Sequence, residues 1–144
     1  MRRSYILLAA CIGLLAFAAS GTAQSTERFK IRLTTVPMDA GMRNNVAGAG
    51  TGTATLAGNK LTVDAAFDGL KSPATAAAVH SGRARGVRGE SIGVLEVTKS
   101  TKGTVSGAIN LTDAQLKALR DGHLYIEVAS EKAPEGNLWG WILK

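Results

Sequence analysis

The stretch "HLYIEVASEKAPEGNLWGWIL", His123 to Leu143, decides the fold class. Neighbours along a strand point to opposite faces, so Leu124, Ile126 and Val128 make one apolar row, and His123, Tyr125, Glu127 and Ala129 make the other. The same period of two returns between Asn137 and Leu143. Leu138, Gly140 and Ile142 suit a core there, while Asn137, Trp139 and Trp141 look away from it. This alternation predicts two half-buried strands, over about His123–Ala129 and Asn137–Leu143. Two tryptophans on a nominally wet face are the anomaly.

Working outward, the pattern repeats. Phe29, Ile31 and Leu33 alternate with Lys30 and Arg32, which predicts a strand with one solvated face. The Gly/Asn-rich stretch from Gly41 to Gly50 reads as an irregular loop. Strands over Thr51–Ala57 and Leu61–Phe67 flank Gly58-Asn59, a pair that tolerates the positive φ of a tight hairpin. Further strands are expected at about Ala76–His80, Ile92–Thr98 and Gly103–Asn110. Thr112-Asp113-Ala114-Gln115 is a capping box, and it predicts one short helix running to about Arg120 and stopping at Gly122. Many short strands with turn residues between them are the signature of an antiparallel sandwich or barrel.

The first 23 residues read differently. Arg2 and Arg3 precede an apolar run from Tyr5 to Ala19 and the small residues Gly21-Thr22-Ala23, the pattern of a secretory signal peptide. The run is shorter than the roughly 20 apolar residues of a membrane span. Cleavage after Ala23 leaves residues 24–144 as one mature domain, with no membrane span. Export to the periplasm or the exterior follows; lipid anchoring at Cys11 does not fit, because that cysteine lies inside the apolar run. Cys11 is also the only cysteine, so the mature domain must be held by its core rather than by disulfides. Losing Arg2 and Arg3 lowers the formal charge from +6 to about +4. Nothing interleaves these charges with aromatics as nucleic-acid binders do.

Three segments, "GLKSPATAAAVHSG" (Gly69 to Gly82), "LTDAQLKALRDGHLYIEV" (Leu111 to Val128) and "APEGNLWGWI" (Ala133 to Ile142), in this order and spacing, resemble the CHRD domain, named from chordin. The resemblance runs from about Phe29 to Leu143. It implies an all-β, antiparallel β-sandwich of Greek-key type, similar to superoxide dismutase or immunoglobulin domains, with one short helix. It implies no established reaction for bacterial members. Family members usually carry a His-x-His pair where this chain has Ala78 and His80, and a further histidine where Ala129 stands. Their last strand usually reads Gly-Glu-Ile-Arg-Gly-Gln, against Gly136-Asn137-Leu138-Trp139-Gly140-Trp141 here. Most of the polar chemistry that relatives place on this face is therefore replaced.

The chemistry that remains is thin. A zinc or copper site needs at least three converging protein ligands, and His80 and His123 would need Glu127, Asp68 or Glu131 as a third. No nucleophile-elbow sequence supports a serine triad, so no catalytic residue and no cofactor are expected. The loop "GRARGVRGE", Gly82 to Glu90, reads as a solvated loop, as an anion site, or as arginines folded back over the indoles. The expectation is an exported, non-catalytic binding or structural module. Trp139, Trp141 and Tyr125 would form its surface, with Arg83, Arg85 and Arg88 as a basic rim. Its partner would be an unidentified protein or glycan, or a second copy of the chain, and not nucleic acid. The rival expectation is a residual copper- or zinc-binding protein built on His80, His123 and Glu127.

Overall fold

The computed structural model describes residues 24–144; the expected signal segment and Cys11 lie outside the described residues. Strands β1 (Thr26–Thr35), β2 (Ala49–Ala57) and β3 (Lys60–Asp68) are followed by β4 (Ala74–Ser81), β5 (Glu90–Val97) and β6 (Gly103–Asn110). Helix α1 (Asp113–Arg120) then leads to β7 (Leu124–Ser130) and β8 (Ala133–Leu143). Among the described residues these eight strands close into one antiparallel barrel, in the order β1-β2-β3-β6-β5-β4-β7-β8.

Closure corrects the expected open sandwich. In a sandwich the two layers touch only through side chains, whereas here hydrogen-bonded ladders join them at both edges. β1 pairs with β8 from Lys30–Leu143 to Thr35–Leu138, and β5 pairs with β6 at Glu96–Ser106 and Val97–Val105. The physical reason lies in β8 and β5, which are each paired on both sides and leave no edge exposed. Gly140 makes the β1–β8 closure feasible, because a Cβ there would stand 2.7 Å from Ile31 Cγ2 and 3.0 Å from the Arg32 carbonyl oxygen.

Local alternation holds along almost every strand. Phe29, Ile31, Leu33, Ile126, Leu138 and Ile142 are buried in the barrel interior, each contributing about 1.5–3 kcal/mol by leaving water. The β2–β3 hairpin turns on Gly58-Asn59 as expected, although only Gly58 takes a positive φ (62°), as a two-residue turn with glycine first requires. Helix α1 starts at the Thr112 capping box, with the Thr112 Oγ1 accepting from Gln115 N–H and Gln115 Oε1 accepting from Thr112 N–H. It ends before Gly122, at φ 76°.

The stretch from 36 to 48 departs from the expected irregular loop. It holds a 3-10 turn (Met42–Asn44) and folds back as a flap, so that Val36, Val46 and Ala133 form a second small core with Met42 and Trp139 packed against it. Under this flap Asn137 is fully buried rather than outward and wet. Its Nδ2 donates to the Ala47 carbonyl at 2.7 Å, and its Oδ1 accepts from Ser130 Oγ at 3.3 Å. A buried amide costs little when both of its ends are bonded.

Candidate binding surface

The antiparallel register places a belt of rings on the outside of the barrel. His80 on β4 faces Tyr125 on β7, and Tyr125 faces Trp141 on β8. The His80 and Tyr125 rings stack at 5.1 Å and 18°, and Tyr125 and Trp141 lie at 4.6 Å and 40°. Trp139, opposite Glu127, meets Tyr125 edge-on at 5.8 Å and Trp141 at 5.6 Å. Such pairs contribute about 0.5–1.5 kcal/mol each beyond their burial. Both indoles are half-buried, while Tyr125 is only 1% exposed and supports the cluster from beneath.

The arginine loop, residues 82–89, reaches Tyr125 at Gly89. Gly89 latches its base twice: its N–H donates to the Tyr125 hydroxyl at 3.0 Å, and its carbonyl accepts from His80 Nδ1 at 3.1 Å. A carbonyl can only accept, so this bond puts the proton on Nδ1. No larger residue fits at Gly89, because a Cβ would stand 1.7 Å from the Ser81 carbonyl oxygen. Burial pushes the Tyr125 phenol above its ordinary pKa, with the Gly89 N–H acting in the opposite sense. The phenol therefore stays neutral at physiological pH.

Arg88 fastens the far side of the loop. Its Nη1 donates to the Glu135 carbonyl at 2.6 Å and stands 3.3 Å from Glu127 Oε2. That carboxylate oxygen is buried and accepts no hydrogen bond, so the adjacent guanidinium supplies its compensation. Gly136 leaves room for it, since a Cβ there would lie 2.9 Å from Glu127 Cδ.

The predicted basic rim is thus divided. Arg88 is a clasp, and Arg83 lies with it around a shallow depression that also holds Ser81, Glu90 and Gln115. Arg85 alone joins an indole. It lines a groove of about 580 Å³ together with Trp141, Lys30, Arg32, Thr34, Thr51 and Lys144, and no acid lines that groove. Lys30, Arg32 and Thr34 belong to the exposed row of β1, and the β1–β8 register sets Lys30 opposite Leu143 and Thr34 opposite Trp139. Arg32 falls between these pairs, level with Trp141. Lys144 Nζ is 2.7 Å from Glu27 Oε2, whose other oxygen accepts from Arg120 at 2.9 Å. Among the described residues Lys30, Arg32 and Arg85 enter no salt bridge. Arg85 was expected at this surface from sequence, but the place of Lys30 and Arg32 was missed; the wet face of the first strand was visible, but not its neighbour.

The suggested metal set is not assembled. Among the described residues no three His, Cys, Asp or Glu side chains are grouped to hold an ion. His80 is stacked and bonded to Gly89, Glu127 faces Arg88, and His123 precedes β7 beside Gly82, whose N–H donates to the His123 carbonyl at 2.9 Å. Among the described residues no helix is long and apolar enough to cross a membrane.

The described residues thus combine a closed β-barrel, an aromatic cluster tied to one loop through Gly89, and a basic groove at its side. A scan of family models matches the CHRD domain over residues 29–142, and the chain belongs to that family. Membership suggests a binding or structural module. Searches of the curated proteins and of the solved structures found no match.

Proposed function

We propose that this protein is an exported, non-catalytic binding module of the cell envelope or exterior, engaging its partner through the outer face where β8, β1 and the arginine loop meet. One observation carries the reading. Trp141 is half-buried on strand β8, flanked by Arg32, Lys30 and Arg85; among the described residues none of these three is engaged in a salt bridge and no carboxylate lines the shared groove. A structural role alone would not call for three unpaired cations converging beside an indole, since each repels the others. Tyr125, Trp139 and Arg88 serve this face by holding it in place.

Two measurements test the proposal. The protein expressed with its leader in its own host is expected outside the cytoplasm with Gln24 at its amino terminus; a retained leader on cytoplasmic protein overturns export. Purified protein mixed with envelope and extracellular material from that host is expected to sediment with it. A Trp141→Ala, Arg85→Ala variant that keeps the parent's far-ultraviolet dichroism and a cooperative thermal transition is expected to stay in the supernatant. Equal sedimentation of both proteins, or of neither, removes this face as the binding surface.

A further inference from the structure

Resting on the binding-module reading above, the geometry points to the ligand class: the groove between β1, the end of β8 and the arginine loop takes a segment of acidic polysaccharide bearing carboxylate groups. Its shape, its charge and its single ring each narrow the choice.

The groove, about 580 Å³, lies in the range of small-ligand sites, roughly 300–1,000 Å³. It is an open trough rather than a closed cavity, running between Lys30 and Thr34 along β1, and so suits a stretch of chain that continues past both ends. Lys30 and Arg32 are two residues apart on one strand face, which spaces their side-chain roots by about 7 Å along the trough. Arg85 lines the same trough from a loop whose base is latched through Gly89 to His80 and Tyr125. Guanidinium forks match planar carboxylates in two-point contacts, and two arginines and a lysine along one trough offer more positive charge than a single carboxylate balances.

The rest of the lining fits sugar. Trp141 offers an apolar ring surface on which the C–H face of a pyranose packs, and the exposed hydroxyls of Thr34 and Thr51 pair with sugar hydroxyls. Single-stranded nucleic acid, the other polyanion, is held by successive rings stacking on successive bases. Only one ring borders this groove; Trp139 and Tyr125 turn their edges or tilted faces into the cluster instead. A neutral glycan would leave three desolvated cations without a partner, so charge complementarity favours the acidic class.

Trp139 and Trp141 are the chain's two tryptophans, so intrinsic fluorescence reports on the groove directly. Polygalacturonate oligomers titrated at about 50 mM salt are expected to change the emission saturably, and binding should weaken steeply as salt rises. Arg32→Ser and Arg85→Ser are surface changes that leave the core untouched; each is expected to lower affinity about tenfold or more, the loss of one charge-assisted contact. Each should also make the salt dependence shallower by about one unit of slope. Arg83→Ser, outside the groove, is expected to bind as the parent does. No binding of polygalacturonate, equal binding by the groove variants, or tighter binding of a single-stranded oligonucleotide of matched charge would each overturn the assignment. If envelope sedimentation persists while polygalacturonate fails, the binding-module reading stands and the polysaccharide assignment alone falls.

Discussion

Gly89 shows how much one backbone unit can organise. Its N–H and carbonyl hold two rings of the aromatic belt, and the absence of a Cβ lets the chain pass against Ser81. The consequence is a loop that carries Arg85 while its own base is fixed. Tyr125→Phe deletes the acceptor of the Gly89 N–H without changing the packing of the ring. It is expected to cost about 1 kcal/mol, the usual consequence of leaving a part-buried donor unpaired. Amide exchange at Gly89 should accelerate more than at Ile126 in the barrel interior. Unchanged exchange at Gly89 would mean that the latch is held by His80 alone. His80 itself acts in this structure as a stacking partner and a donor.

Helix α1 is the element most completely specified by local sequence. Its capping box, its basic last turn with Lys117 and Arg120, and its glycine stop all lie within the helix or two residues from it. Thr112→Ala removes the cap and is expected to lower the urea-unfolding free energy by about 1 kcal/mol, with Thr112→Ser close to the parent. Equal stability of the Ala variant would show that tertiary packing of Leu119, 1% exposed, already holds the helix without its cap. The strands obey weaker local rules, since alternation says which face is apolar but not which strand lies alongside. For β8 that distinction decides everything: the same Trp141 borders β7 and Tyr125 on one side and β1 and Arg32 on the other.

At the scale of the whole molecule, the barrel is closed by its ends as well as its ladders. Glu27 on β1 accepts from Arg120 of α1 and from Lys144 after β8, so one carboxylate ties together the first strand, the helix and the end of the chain. Its hydrogen bonds to Lys144 and then to Arg120 hold its pKa below the ordinary carboxylate value. A group whose pKa is depressed on folding binds its proton more weakly in the folded state. Its stabilisation is therefore present above the unfolded value and is lost as pH falls through the folded one. Thermal midpoints should fall as the solution is acidified below the ordinary glutamate range, and Glu27→Gln should flatten part of that fall. An identical acid profile for the Gln variant would assign the loss to Asp121, whose carboxyl Lys117 holds low in the same way.

Much of this protein was legible in its sequence for a plain reason: alternation, capping and turn chemistry act over a few residues. These local rules determined the strands, helix α1, the inward rows and the pairing of two indoles outside the core, and three separated segments pointed to the family. Pairing between β1 and β8, more than a hundred residues apart, obeys no such rule, because many registers satisfy the same pattern of apolar and polar faces. Tertiary structure alone decided that the layers close into a barrel, that Asn137 is buried beneath a flap, and that Arg88 clasps Glu127 while Arg85 turns to Trp141. It also brought Lys30 and Arg32 beside Trp141, since only closure of the sheet makes the first strand a neighbour of the last.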